Sequence, residues 1–161
     1  MCIRDSIEPE GKSLLDFGCG KGDFCGFLKE KGINCQYTGI DINPSLIELA
    51  RKNYPDVEFY VKDIENEAMK RKFNYTLAIG VFNLAVQNIK ELTERCLKIL
   101  FQHTSERLVF TCLNQKTKHK DIYVAYFSEE ELKKIAKKLT NRYEIMDNLV
   151  EGDLFLILDK S

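Results

Sequence analysis

Asp16 stands two residues before the first of three alternating glycines, Gly18, Gly20 and Gly22, in the run Leu14-Leu-Asp-Phe-Gly-Cys-Gly-Lys-Gly-Asp-Phe24. Without a Cβ, such glycines let a chain turn tightly and bring its backbone close to a ligand. A second acid, Asp41, ends the run Tyr37-Thr-Gly-Ile-Asp41. A glycine turn after one strand and an acid after the next describe a site for an adenosine-bearing ligand, with Asp41 set to accept from ribose hydroxyls. The dinucleotide fingerprint wants Gly or Ala three residues after its second glycine. Here that position is Asp23, and the third glycine arrives one residue early at Gly22. Asp16 would repel a diphosphate and attract an ammonium. The G-x-x-x-x-G-K-[ST] loop that cradles nucleotide phosphates is absent, so Lys21 reads as a solvent-facing side chain.

These residues need strands and helices to hold them. Apolar strand-like runs alternate with amphipathic helical stretches, the pattern of an α/β sheet with helices on both faces. The first strand reads as Ser13–Phe17, with a helix from Asp23 that stops near Gly32. Asn43 can cap and Pro44 can open a second helix reaching Asn53. Strands follow near Val57–Lys62 and Tyr75–Val81. The helix Asn88–His103 buries a stripe of Ile89, Leu92, Cys96, Ile99 and Leu100, and Arg107–Leu113 is the fifth strand. Ser128-Glu-Glu-Glu131 is a capping box for a helix whose inner face is Leu132, Ile135, Ala136 and Leu139. Tyr143–Val150 and Asp153–Leu158, joined through Glu151-Gly152, must pair antiparallel.

At 161 residues, 44% hydrophobic and 30% charged, the chain fits one globular domain. A net charge of −1 gives no basic footprint for a nucleic-acid partner. No apolar run is long enough to span a membrane. The six cysteines, Cys2, Cys19, Cys25, Cys35, Cys96 and Cys112, form no C-x-x-C pair, and with two histidines they suggest no metal site. Reduced thiols and the lack of a signal-like segment point to the cytoplasm. Met1-Cys-Ile-Arg-Asp-Ser6 reads as a translated adapter, a non-native leader before a single domain over 7–161 that is N-terminally shortened.

The D-x-G-x-G spacing of Asp16, Gly18 and Gly20 resembles the first motif of the class I S-adenosylmethionine-dependent methyltransferases. Gly39-Ile-Asp41-Ile-Asn-Pro44 resembles their second motif, and Val57-Glu-Phe-Tyr-Val-Lys-Asp63-Ile64 their third. Phe73-Asn-Tyr-Thr-Leu-Ala-Ile-Gly80-Val-Phe-Asn83 sits where their fourth strand belongs. The resemblance covers residues 14 to 84 and implies a three-layer α/β sandwich. Its seven-stranded, mostly parallel sheet would end in an antiparallel hairpin. S-adenosylmethionine is the implied cofactor. Asp16, Gly18, Cys19, Gly20 and Gly22 would hold its amino-acid end, the Cys19 main-chain amide among the contacts. Asp41 would bind the ribose with Ile42 beside it, Asp63 would face the adenine amine, and Ile64 would pack on the ring. Gly80 would let the fourth strand approach the sulfonium.

The acceptor is a small molecule on this reading. Phe82 and Asn83 are placed by position to touch it, with Tyr126 lining the same pocket. No catalytic acid or base is assigned, because an in-line methyl transfer can run on proximity and orientation. Gly80-Val-Phe-Asn83 departs from the N/D-P-P-Y/F signature of enzymes that methylate nucleic-acid amines. No Pro-Cys nucleophile or magnesium-binding Asp/Asn cluster stands out. Lys116, Lys118, His119 and Lys120 form a basic run that reads as a solvated loop, or as a lid for an anionic substrate. Two other functions stay open: a non-catalytic cofactor-binding subunit completed by a partner chain, and a nicotinamide-dependent oxidoreductase.

Overall fold

The computed structural model describes residues 7–147 and 149–160; the suggested leader, residues 1–6, lies outside them. The first strand, β1 (Ser13–Phe17), is the centre of the sheet, and its middle residues Leu14, Leu15 and Asp16 are buried. Parallel β2 (Gln36–Asp41) lies on one side of it and parallel β4 (Phe73–Ile79) on the other. Beyond β2 comes β3 (Glu58–Val61), and beyond β4 comes β5 (Thr104–Asn114). The hairpin partner β8 (Asp153–Asp159) runs antiparallel to β5, and β7 (Tyr143–Met146) antiparallel to β8. The order is β3-β2-β1-β4-β5-β8-β7.

Seven strands were expected, and the described residues form eight. The addition is β6 (Tyr126–Phe127), two residues parallel to the end of β5. Its Phe127 is fully buried, whereas the surrounding loop carries no alternating pattern that would mark a strand. The final hairpin is antiparallel as expected, but β7 stops at Met146, so its connection to β8 is longer than Glu151-Gly152.

Four helices form the outer layers. α1 (Asp23–Glu30) buries Cys25 and Leu28, and α2 (Pro44–Asn53) buries Ile47 and Ala50. Both pack with Leu14, Leu77 and Val109 on one sheet face. α3 (Ile89–Gln102) and α4 (Glu129–Leu139) cover the other, where Leu97, Leu100, Leu132 and Ala136 meet Leu15, Ala78 and Phe110. Alternate residues of β1 and β4 feed opposite cores, as strand geometry requires.

The starts of α2 and α4 follow side-chain caps. The Asn43 side chain accepts from Ser45 N–H at 3.0 Å, with Pro44 opening α2. Ser128 and Glu131 complete the capping box reciprocally: Ser128 Oγ accepts from Glu131 N–H (3.2 Å), and Glu131 Oε2 accepts from Ser128 N–H (2.8 Å). Ser128→Ala is therefore expected to cost about 1 kcal/mol, read as a shift in the denaturant midpoint at unchanged slope.

Candidate active site

The strand order reverses between β1 and β4, since β2 and β3 extend one way and β5 the other. In open α/β sheets ligands bind at such a point, beyond the C-terminal strand ends. A cleft of about 430 Å³ opens there. Gly18 follows β1, Asp41 ends β2 with Ile42 next to it, Asp63 and Ile64 follow β3, and Phe82 follows β4; all six line the cleft. Four separated stretches of sequence thus converge on one wall.

The glycine turn is built from positive backbone angles, with φ of 74° at Gly18, 55° at Gly20 and 88° at Gly22. A Cβ on Gly18 would lie 2.4 Å from Val81 Cγ2, so the glycine allows the turn after β1 to seat against the loop after β4. At Gly20 a Cβ would meet nothing within 4 Å, leaving open space over the backbone. Gly22 has a different role. It precedes α1, buried beneath the rings of Tyr54 and Phe59, where a Cβ would sit 3.0–3.1 Å from them. It is a packing glycine and no part of the cleft wall.

The turn spends its amides internally. Gly18 and Cys19 both donate N–H to Ile40 C=O (2.8 and 3.1 Å), and Gly22 donates to Cys19 C=O (3.0 Å). Gly20 N–H donates to Asp41 Oδ2 at 2.9 Å. The Cys19 amide, expected among the ligand contacts, is engaged at the β1–β2 junction. The Cys19 side chain is buried against Gly39, and burial pushes its thiol up to about 12, so it packs rather than attacks.

Asp16 is 4% exposed and accepts a 2.5 Å hydrogen bond from the Tyr37 hydroxyl. Burial raises its pKa from 3.8 to about 6; Tyr37 opposes the rise and the Asp41 charge adds to it. The sign follows. The folded pKa is above the unfolded one, so the stability this group contributes is full below about pH 4 and lost as pH rises through about 6. That window corresponds to about 3 kcal/mol. Asp16→Asn is expected to flatten the stability profile between pH 4 and 7, as read by chemical denaturation at a series of pH values.

The Asp41 carboxylate is fixed from both sides. One oxygen takes the Gly20 N–H, and the other takes the Asn43 N–H at 2.8 Å. Each oxygen keeps a second acceptor position, so the group is oriented with capacity left for two hydroxyls. Asp63 is held by the turn that follows it: its oxygens accept from Glu65 N–H (3.0 Å) and Asn66 Nδ2 (2.7 Å). The Asn66 side chain, then the Glu65 amide, draw its pKa below the usual carboxylate range. Ile64 is buried and faces the cleft.

Asp16, Cys19, Gly20, Gly22, Gly80, Asn83 and Tyr126 are outside the cleft wall. Gly80 (φ 66°) donates N–H to Thr111 Oγ1 at 3.0 Å, and a Cβ there would be 3.3 Å from Asn83 Nδ2. Asn83 Oδ1 is buried without a hydrogen-bond partner. Its backbone carbonyl receives Ala125 N–H (2.9 Å), which ties the loop after β4 to the segment before β6. Tyr126 uses its hydroxyl to accept from Asp121 N–H at 2.9 Å.

Sequence reasoning passed over a second wall. Val81, Leu84, Val86, Ile89, Leu92 and Cys96 also line the cleft, carrying the α3 stripe up to its mouth. The stripe was visible as periodicity, but periodicity does not separate core from cleft. Among the described residues no three His, Cys, Asp or Glu side chains converge as a metal site, and no helix is long and apolar enough to cross a membrane.

Comparison with known proteins gives this geometry a family. Malonyl-[acyl-carrier protein] O-methyltransferase of Acetivibrio thermocellus is 34% identical over 85 residues, 50% of this chain and 30% of that protein. Demethylmenaquinone methyltransferase of Chlorobaculum parvum is 26% identical over 155 residues, 92% of this chain and 62% of that one. The chain thus spans less than two thirds of either relative. Magnesium protoporphyrin IX methyltransferase from Synechocystis PCC 6803, crystallised with bound SAM, superposes with a TM-score of 0.74. It covers 99% of this chain and 74% of that one at 16% identity, a likeness of fold. The family model described as a methyltransferase domain matches residues 8–156. With nearly every described element inside that match, the chain belongs to the methyltransferase-domain family and has its class I fold.

Proposed function

We propose that this chain binds S-adenosylmethionine in the cleft and transfers its methyl group to a small-molecule acceptor. The observation that carries the reading is Asp41, oriented by two backbone amides with acceptor capacity to spare, on the same wall as Gly18 and Ile64. The residues fit the cofactor's parts. Asp41 suits two ribose hydroxyls, Ile64 an adenine face and Asp63 an exocyclic amine. Above about pH 6 the ionised Asp16 suits an ammonium. Gly18 lines the wall itself, and Cys19 and Gly22 act one step back by shaping the turn. Gly80 and Asn83 sit together in the loop after β4 and would act on the acceptor side, with Tyr126 supporting the adjoining loop.

When bound, the cofactor would supply an electrophilic sulfonium methyl carbon, open to in-line attack by an acceptor lone pair as the carbon–sulfur bond breaks and its electrons stay on sulfur. The chain's contribution is orientation and exclusion of water by Phe82, Val81 and the α3 wall. A cytoplasmic setting agrees with five described cysteines that are all unpaired.

Calorimetric titration with S-adenosylhomocysteine, with NADH as control, tests the reading. Micromolar binding of the first and none of the second is expected; the reverse order would sink it. Lowering the pH from 7.5 to 5.5 should weaken S-adenosylhomocysteine binding, because Asp16 then becomes neutral, and Asp16→Asn should bind weakly at both pH values.

A further inference from the structure

The most exposed large apolar side chains of the described residues are Ile122 (83%), Tyr123 (74%), Ile42 and Leu84 (69% each). They gather at one place. Ile42 and Leu84 line the cleft, as does the half-exposed Val86. Leu84 bridges Val124, and Ala85 N–H donates to Tyr123 C=O at 2.9 Å, so Ile122 and Tyr123 continue the same lip. Scattered surface apolars are ordinary, but a contiguous apolar lip around a cleft marks a binding surface.

Cations directly precede this lip in the chain, and the Lys120 ammonium lies over the Tyr126 ring, 5.7 Å from its centroid. Lys118, His119 and Lys120 precede Asp121, Ile122 and Tyr123 in the chain. Lys116 is taken up by Glu129 at 2.7 Å, but among the described residues neither Lys118 nor Lys120 has a carboxylate partner. The nearby acids are Asp121, whose carboxylate accepts from Tyr123 N–H at 2.8 Å, and Glu151, which shares a shallow hollow with Lys118 and His119. A cleft of about 430 Å³ is filled by one drug-sized ligand. With the cofactor in place, most of the acceptor must rest on the lip.

We propose that the acceptor is an anionic amphiphile. Its apolar body lies across Leu84, Val86, Ile122 and Tyr123, and its anionic end points toward Lys118 and Lys120. This rests on the reading of the inner cleft as the cofactor site.

The test uses the whole chain saturated with S-adenosylhomocysteine and titrated calorimetrically with 1-anilinonaphthalene-8-sulfonate. N-phenyl-1-naphthylamine serves as the uncharged analogue and benzenesulfonate as an anion lacking the fused rings. The sulfonated amphiphile should bind tightest. The double variant Ile122→Ser/Tyr123→Ser should weaken it about tenfold. Lys118→Gln/Lys120→Gln should weaken it about threefold, more so at low salt. Both variants should keep their affinity for S-adenosylhomocysteine. Equal binding of the uncharged analogue, with no effect of the lysine changes, overturns the anionic part; indifference to the Ile122 and Tyr123 changes overturns the lip. Co-sedimentation with phosphatidylglycerol vesicles that the lip variants abolish, while probe binding persists, would make this a membrane surface and overturn the proposal. Failure of the unaltered chain to bind S-adenosylhomocysteine is a separate result, which removes the cofactor reading beneath it.

Discussion

Asp41→Ala is expected to weaken S-adenosylhomocysteine binding about a hundredfold, the largest effect of any single side chain at the site. Two hydrogen bonds from ribose hydroxyls to a charged acceptor contribute about 1.5 kcal/mol or more each. The truncation also releases the Gly20 and Asn43 amides, which the carboxylate holds at 2.9 and 2.8 Å. The glycine turn therefore loses a strut as well as the ligand its anchor. Asp41→Asn separates the two effects. Its amide oxygen can still accept from one backbone N–H, so the turn keeps part of its support while the charge is gone, and an intermediate loss is expected. Titration calorimetry on both variants gives the answer. Unchanged affinity in Asp41→Ala would remove the ribose assignment.

Gly18→Ala should produce the largest loss of fold stability from one added methyl group. At φ 74° an alanine pays the left-handed penalty, about 1–2 kcal/mol. Its Cβ would also fall 2.4 Å from one Val81 methyl and 2.9 Å from the other. Relieving that overlap adds about 1–3 kcal/mol. Val81→Ala introduced alongside removes both clashing methyls and should recover the steric share but not the backbone share. A double-mutant cycle by urea denaturation reads this coupling directly. Additive effects of the two changes would show that the turn and the β4 loop do not touch at this point.

The elements that carry their own punctuation were legible in the sequence. α2 begins and ends where Asn43, Pro44 and Asn53 suggest, and α4 starts on its capping box. β1 matches its expected span because Lys12 and Gly18 bound a short apolar run. β5 begins earlier than Arg107, at Thr104: Ser105 and Glu106 break the apolar pattern, and Phe73 pairs with Thr104 nonetheless. The two-residue β6 has no sequence signal of its own, since a partner strand makes it. At the site, spacing identified the loops that converge. It did not reveal which atoms are already engaged. The Gly18, Cys19 and Gly22 amides are consumed by contacts across the β1–β2 junction or within the turn. Asp16 and the glycines after it alternate along the chain, yet Gly22 points into packing and Gly20 into open space.

The spent amides also bear on selectivity. Phosphate-binding turns present an array of free backbone N–H groups to an anion. In this turn the Gly18, Cys19, Gly20 and Gly22 donors face inward, while Asp41 and Asp63 set two carboxylates on the cleft wall and Asp16 lies buried outside it. In a cell, nucleotides that share the adenosine of a methyl donor compete for any adenosine pocket, and each tenfold excess of competitor must be offset by about 1.4 kcal/mol of discrimination. On the proposed reading the discrimination would come from engaged donors and repulsion: a phosphate beside the ribose would meet no free amide of Gly18, Cys19, Gly20 or Gly22 and would meet the like charge of Asp41 and Asp63. The same inward hydrogen bonds that close the β1–β2 junction would, on that reading, make the fold itself the filter between a zwitterionic ligand and a polyanionic one.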